Sequence, residues 1–577
     1  MALDATESRA YAASRAWPRL RAEAQAFLDL PQSLPAALRA TLFGAERFQQ
    51  HGVSLAQAQP VAPRTRLRGA PGFLPRVDDN LRMLRLTRSY LELLDREGDA
   101  LSPAAEWLLD NFHLIEAQLP EIRDGLPRRY YAELPKLANE PLVGLPRVYG
   151  IAWGYVAHTD SSFDAGLLEH FLRAYQQVEQ LTLGELWALP TTLRVVLLEN
   201  LARLAETTAT DNAAREAANA CCDHQGNMSL QQLERWLERL DRRGARTAFL
   251  AQMVQRLRRP VPGEPSRWLA WLDALVPDAQ ALLAAAQELQ AANNVSVSNA
   301  VSALRAINNL DWKGLIDEIS PLLQWLRRSP AFCQDSELTQ DQITHAIERL
   351  ARQLDCPELQ IARQAVALVE SDAEGRAAAG PAHFLIGRGR AALIEALSSG
   401  SARRIERSDR RLSLLTRWWG YAAALGLGSA LIVQAMLWAA GARELAPLAW
   451  AVVAVLLLLP ASEVAIALVH RLLSESVPVP RLPRLGLAGG LEPAQRTLVV
   501  VPCLITSAAG IGALVRRLEQ HYLANPEHEV QFALLSDGAD APDRHSAADE
   551  ALIEEARSES TRLNSSHVVT SRMPSSA

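Results

Sequence analysis

Apolar residues recur at a spacing near 3.6 from Tyr11 to about Gly400, and strand-like alternation is scarce there. This region therefore reads as all-helical. NLRMLRLTRSYLELLDREG from Asn80 sets Leu81, Leu84, Leu91 and Leu94 on one stripe with charges opposite, and Gly98 offers a stop. SPAAEWLLDNFHLIEAQL follows, with Ser102 in N-cap position, Pro103 at the first helical position and Glu106 in the first turn. TLGELWALPTTLRVVLLENLARLA places Thr182 and Glu185 at capping-box spacing, and Pro190 is expected to break its apolar run.

The pattern changes at Trp418. WWGYAAALGLGSALIVQAMLWAA carries no charge for about 23 residues, roughly 34 Å as a helix against a hydrocarbon core of about 30 Å. After the short connector GARELAP, LAWAVVAVLLLLPASEVAIALVHRLL is a second span, so the two predict a transmembrane hairpin. Arg403, Arg404, Arg407, Arg410, Arg411 and Arg417 precede it and Arg471, Arg481 and Arg484 follow it, whereas the connector holds only Arg443. Basic flanks stay on the cytoplasmic side, which puts both soluble parts there.

Beyond PRLPRLGLAGGL the period changes again. TLVVVP from Thr497 is an apolar run of strand length that ends at Pro502, the form of a central parallel strand. SAAGIGALVRRLEQHYLANP is a helix with Ile511, Leu514, Leu518 and Tyr522 on one face, and EVQFALLSDGADAP is a second strand. Together they predict a right-handed βαβ unit. Ligands of such sheets bind beyond the carboxyl ends of the strands, here Pro502 to Ser507 and Ser536 to Asp540. Asp537 can accept hydrogen bonds from a uracil N–H or a ribose hydroxyl, and Asp540 and Asp543 are close enough to help hold a divalent cation. A strand-terminal Asp before Gly is also an ordinary turn.

Composition narrows the rest. The 577 residues suffice for two or more cores, and 59 basic against 65 acidic residues, a formal charge of −6, give no electrostatic case for nucleic acid. MALDATESRAYAASRAWPRLR mixes charge signs without an apolar core, so it is not a secretory signal. Cys221, Cys222, Cys333, Cys356 and Cys503 are an odd set without paired C-x-x-C spacing, which suits free thiols in a reducing compartment. The CCDH run ending at His224 lacks a second cluster, which argues against zinc. In LPRRYYAELPKLANEPLVGLPRVYGIAWGYVAHTDS, Tyr130, Tyr131, Arg147, Tyr149, His158 and Asp160 could face a sugar, but burial of the rings between helices with the polar tips satisfied locally is the stronger reading. AAGPAHFLIGRGRAAL reads as a linker turning into a basic juxtamembrane helix. GRGR lacks the spacing of a phosphate loop.

Several of these stretches, from PAAEWLLDNFHLIEAQL through LTLGELWALPTTLRVVLLENLARLA, NNVSVSNAVSALRAINNLDW, PAHFLIGRGR and LLPASEVAIALV to RTLVVVPCLITSAAGIGALVRRLEQHYLANPEHEVQFALLSDGADAP, resemble the N-terminal part of a cyclic β-1,2-glucan synthase. The resemblance implies a multi-pass protein of the bacterial inner membrane that polymerises glucose from UDP-glucose onto a growing β-1,2-glucan, with a divalent cation (Mg or Mn). By position it carries Pro502, Thr506, Asp537 and Asp540 over to the donor-binding sheet. The catalytic base and metal ligands are expected beyond residue 577, which makes this chain an inactive fragment. The stretch SPAFCQDSELTQDQITHAIERLAR departs from the family pattern, as does the tail.

The expected fold is mainly α: a cytoplasmic all-helical domain over 1–395, a basic juxtamembrane linker over 396–417, transmembrane helices at 418–440 and 447–472, and the start of an α/β, GT-A-like glycosyltransferase domain over 496–557. Residues 558–577 form a disordered or artefactual tail in this reading. The alternative is a membrane-anchored regulatory or interaction protein with a vestigial nucleotide-sugar-binding unit.

Overall fold

A helix of 41 residues, Leu183–Asp223, organises the first half of the chain. The computed structural model describes residues 28, 34–62, 73–98, 101–223, 230–258, 268–371, 380–397, 418–441, 446–476, 482–486, 490–525, 527–538 and 547–562, and they divide into two compact units. The first unit runs to Leu326 and takes in Pro357–Ala362. Its main helices are α1 (Ala45–Ala58), α2 (Phe73–Glu97), α3 (Pro103–Asp110), α4 (Phe112–Gly125), α5 (Arg147–His158), α6 (Ala165–Gln176), α7 (Leu183–Asp223), α8 (Arg246–Leu257) and α9 (Ala279–Asn309).

Helices α2, α4, α5, α8 and α9 all pack on α7. Leu193, Val195, Val196, Leu198, Leu201, Ala202, Leu204 and Ala205 of α7 are completely buried, so this helix is covered all round rather than on one stripe. That explains why Pro190 does not break it. A proline inside a helix costs about 3 kcal/mol, and burial of Leu186, Leu189 and Leu193 around it outweighs that cost. The predicted helix signals are in place. Ser102 Oγ accepts from Ala105 N–H (3.4 Å), and Thr182 and Glu185 bond reciprocally, with Glu185 N–H donating to Thr182 Oγ1 (3.2 Å) and Thr182 N–H to Glu185 Oε2 (2.9 Å). Gly98 takes φ +79° after α2, the left-handed stop that glycine adopts without strain.

The helical stretch over 1–395 contributes to both compact units. Arg327–Cys356 and the chain from Arg363 onward form the second unit. Here α10 (Glu337–Leu354) is tied to the segment after the hairpin: Ser336 N–H donates to Arg484 C=O (2.8 Å), Arg484 N–H to Thr339 Oγ1 (2.8 Å), and Gly486 N–H to Gln334 C=O (2.6 Å). The stretch that departs from the family pattern therefore has a structural role. Helices α11 (Gly380–Leu385) and α12 (Arg390–Leu397) flank the GRGR turn, in which Gly387 and Arg388 are exposed. A Cβ at Gly387 would lie 2.7 Å from His383 O, and one at Gly389 2.6 Å from the His383 ring, so only glycine fits.

The hairpin is α13 (Trp418–Ala439) and α14 (Pro447–Ser476), both long and apolar enough to cross a membrane. They run antiparallel: Tyr421 OH meets His470 Nε2 at 2.7 Å near one end, Gly428 lies against Ala465, and Val433 and Leu437 pack on Ala461. A bent pair, Leu269–Leu275 with α9, is also apolar enough by composition. However, Asn293 and Ser296 of α9 bond Arg39, which places α9 in the helical unit. The basic flank from Arg403 to Arg417, Arg443, Arg481 and His224 lie outside the described residues.

The last part is β1 (Thr497–Ile505), α15 (Ala508–Ala524), β2 (Val530–Gly538) and α16 (Ala547–Arg562). The two strands are parallel, from Thr497↔Val530 to Ile505↔Gly538. The helix α16 runs to Arg562, into the first residues of the 558–577 stretch. The rest of that tail lies outside the described residues.

Candidate functional site

The β1–α15–β2 segment has one covered face. Val501, Cys503 and Ile505 of β1 and Val530, Phe532 and Leu534 of β2 pack against Ile511, Val515 and Leu518 of α15 and Ala556 of α16. Because side chains alternate along a strand, the neighbours point the other way. On that opposite face Leu498 is 52% exposed, Leu504 64% and Leu535 39%. Apolar residues on both faces are the signature of a sheet layered on both sides.

Pro502 does not end its strand. It pairs with Leu535 in mid-ladder, and β1 continues for three more residues to Ile505. Thr497 N–H donates to Glu529 C=O (3.0 Å), so alternation turns the N–H groups of Val499, Val501, Cys503 and Ile505 toward β2 and position 502 away from it. A residue without an N–H is tolerated at such an outward position. Pro502 consequently sits roughly 10 Å short of the strand end, apart from the other candidates.

Thr506 and Asp537 do meet that end. Thr506 follows β1 directly, and Ser507 caps α15, its Oγ accepting from Gly510 N–H (3.3 Å). Asp537 is the next-to-last residue of β2, paired with Leu504 and exposed on the face that α15 leaves open. Thr506 thus adjoins the amino end of a 17-residue helix, which favours negative charge, and Asp537 stands at the end of the neighbouring strand. At the other end of the strands, Arg496 Nε donates to Glu529 (2.8 Å), which with His528 holds the Glu529 carboxyl below its usual range. Asp540 and Asp543 lie outside the described residues. Among the described residues no three His, Cys, Asp or Glu side chains are grouped to hold a metal ion. Asp537 and Thr506 by themselves do not make a cation site.

The aromatic segment of the helical unit is structural. Tyr149 is buried and donates to Glu199 Oε2 (2.5 Å), which also accepts from Arg76 Nη2 (3.2 Å). Burial and the Glu199 charge raise the Tyr149 hydroxyl above its ordinary range, and burial pushes Tyr131 up to about 12. Arg147 forms a bidentate pair with Glu185, Tyr130 donates to Gly184 C=O, and His158 Nδ1 lies 2.8 Å from Thr41 C=O. Asp160 accepts from Ser296 Oγ (2.5 Å). The five cysteines are free thiols, and burial raises those of Cys356 and Cys503. Sequence reasoning missed a polar recess on α7. Its signal was the polar spacing Thr208, Asp211, Asn212 and Arg215 within a helix otherwise rich in alanine.

No protein-family model matches the chain. Over 552 residues it is 32% identical to the cyclic β-(1,2)-glucan synthase NdvB of Rhizobium meliloti (strain 1021), a match that takes in 92% of this chain. The chain is a relative of a cyclic β-(1,2)-glucan synthase. It spans 19% of that relative's length. The resemblance read from the sequence motifs thus holds over nearly the whole chain, helical units and membrane hairpin included.

Proposed function

We propose that this chain is part of a membrane glycosyltransferase of the cyclic β-1,2-glucan synthase type, which takes glucose from UDP-glucose, and that the β1 and β2 ends receive the nucleotide part of the donor. The observation that carries this reading is the 32% identity over 92% of the chain. The parallel strands that bring Thr506 and Asp537 to one edge support it. In this reading Asp537 accepts hydrogen bonds from the nucleoside, Thr506 offers a hydroxyl, and the N–H groups opening α15 face the negatively charged diphosphate. These groups bind and orient; transfer also needs an acceptor hydroxyl to be deprotonated in line with the anomeric carbon. A divalent cation, Mg or Mn, would supply charge neutralisation at the diphosphate. Both soluble parts are cytoplasmic in this account, where nucleotide sugars are available.

The test is UDP-glucose binding by the full chain in lipid nanodiscs, wild type against Asp537→Ala. A charge-assisted hydrogen bond contributes about 1.5–3 kcal/mol, so the variant should bind about ten- to a hundred-fold more weakly. Equal affinity would remove Asp537 from the site.

A further inference from the structure

The helical unit contains a recess between the start of α3, the second half of α7 and the middle of α9. Thr208, Asp211, Asn212 and Arg215 of α7 and Gln290 and Asn294 of α9 line it, and the space among them, open solvent included, is about 230 Å³. Within it there is room for about one water-sized group. From Thr208 to Asp211 and Asn212, and from these to Arg215, the α7 residues are three or four positions apart, so they share a helix face.

Two polar groups at this recess are not satisfied by protein. Asn212 is 8% exposed, and its Nδ2 has no hydrogen-bond partner among the described residues, while its Oδ1 accepts from Arg215 Nη1 (3.4 Å). Asp211 accepts no hydrogen bond among the described residues. Their neighbours are engaged: Arg215 Nη2 donates to Gln290 Oε1 (3.0 Å), and Asn294 Oδ1 accepts from Ala104 N–H (3.0 Å). A buried unpaired amide donor costs about 1–3 kcal/mol, so an occupant that pairs it is favoured.

We propose that this recess is a binding site for a neutral hydroxyl group, which accepts from Asn212 Nδ2 and donates to Asp211. The chemistry selects the class. An anion would meet the Asp211 carboxylate, and an ammonium could not accept from Asn212 and would meet the Arg215 guanidinium. A hydroxyl does both jobs at once. The hydroxyl can belong to a water held inside the recess or to a sugar whose ring rests at the open side.

A structure of the full chain at a resolution that shows water, determined with and without glucose, separates these sources. A single peak within hydrogen-bond distance of Asn212 Nδ2 and Asp211, unchanged by glucose, assigns the site to water. Density that extends into a ring with glucose, with a rise in unfolding midpoint that Asn212→Leu abolishes, assigns it to a sugar hydroxyl. An empty recess under both conditions, or an Asn212 amide paired with a protein carbonyl, overturns the proposal. Should Asn212→Leu fail to fold, Asp211→Asn keeps the size and the hydrogen-bonding capacity, so the same peak must persist in it.

Discussion

Replacing Glu185 with alanine should open the helical unit more than loss of any surface ion pair would. Glu185 is completely buried and Arg147 nearly so, and they form two parallel hydrogen bonds of 2.8 and 2.6 Å. Burial works against the Arg147 charge, but Glu185 outweighs it and raises the guanidinium pKa, so the pair stays ionised. Without Glu185, Arg147 keeps Gln180 C=O (2.9 Å) and the exposed Glu179 at 3.7 Å. Leaving one partner of a buried pair uncompensated costs about 3–5 kcal/mol. The capping box at Thr182 is lost as well, for a further ~1 kcal/mol that need not add in full. Glu185→Gln keeps an acceptor and a capping-box side chain, so it should cost about 1.5–3 kcal/mol. Replacing both partners, Arg147→Met with Glu185→Leu, should recover much of the alanine loss, because no charge is then stranded. Hydrogen exchange of α5 and α7 amides in the full chain reads the opening free energy of this unit. A Glu185→Ala cost below about 1 kcal/mol, the range of surface pairs, would refute the reasoning.

Three further outcomes are expected. Burial raises Asp211 to about 6, with Arg215 opposing; the folded state therefore holds a proton that an unfolded carboxyl of about 3.9 has lost, stability falls as pH rises from about 4 to 6, and exchange of α7 across that range should lose its pH dependence in Asp211→Asn. Cysteine labelling from the periplasmic side should reach probes between Gly441 and Pro447 and not one near Ala391, since arginine crowds the outer flanks of the hairpin in the sequence; the opposite pattern would invert the topology. Glu463 is exposed on the side of α14 that α13 does not cover, roughly 24 Å along the helix from Pro447, and Glu463→Gln should insert normally, because the Val and Leu run before it offsets a cost of about 2.5–3.5 kcal/mol; failure to insert would require a specific buried partner for the carboxylate.

Features governed by local chemistry were legible in the sequence. Ser102 with Pro103 and Thr182 with Glu185 start helices through bonds to residues three positions away, and the hairpin declares itself by its lack of charge. The change to a strand-helix-strand pattern after Arg496 was legible for the same reason. Features governed by packing were not. Pro190 looks like a break until burial on every side of α7 is known, and Pro502 looks like a strand end until the ladder shows its missing N–H on the outward edge. The division at Leu326 depends on a segment near Arg484 that returns to α10 across the membrane helices in sequence, which no window of neighbouring residues contains. At the candidate site, Thr506 and Asp537 lie at the strand ends, while Pro502 belongs to the strand body. The Asp211 recess needs α3, α7 and α9 together, which no single stretch of sequence shows.

The central claim is tested most directly by following labelled glucose from UDP-glucose into protein-bound and soluble β-1,2-glucan, using membranes that contain either this 577-residue chain or a protein in which it is joined to the remainder of a relative such as NdvB. The account predicts incorporation by the joined protein, a loss of about ten- to a hundred-fold at low donor concentration with Asp537→Ala, and none by the 577-residue chain alone. Failure of the joined protein to incorporate glucose while NdvB itself does so, or full activity with Asp537→Ala, would contradict it.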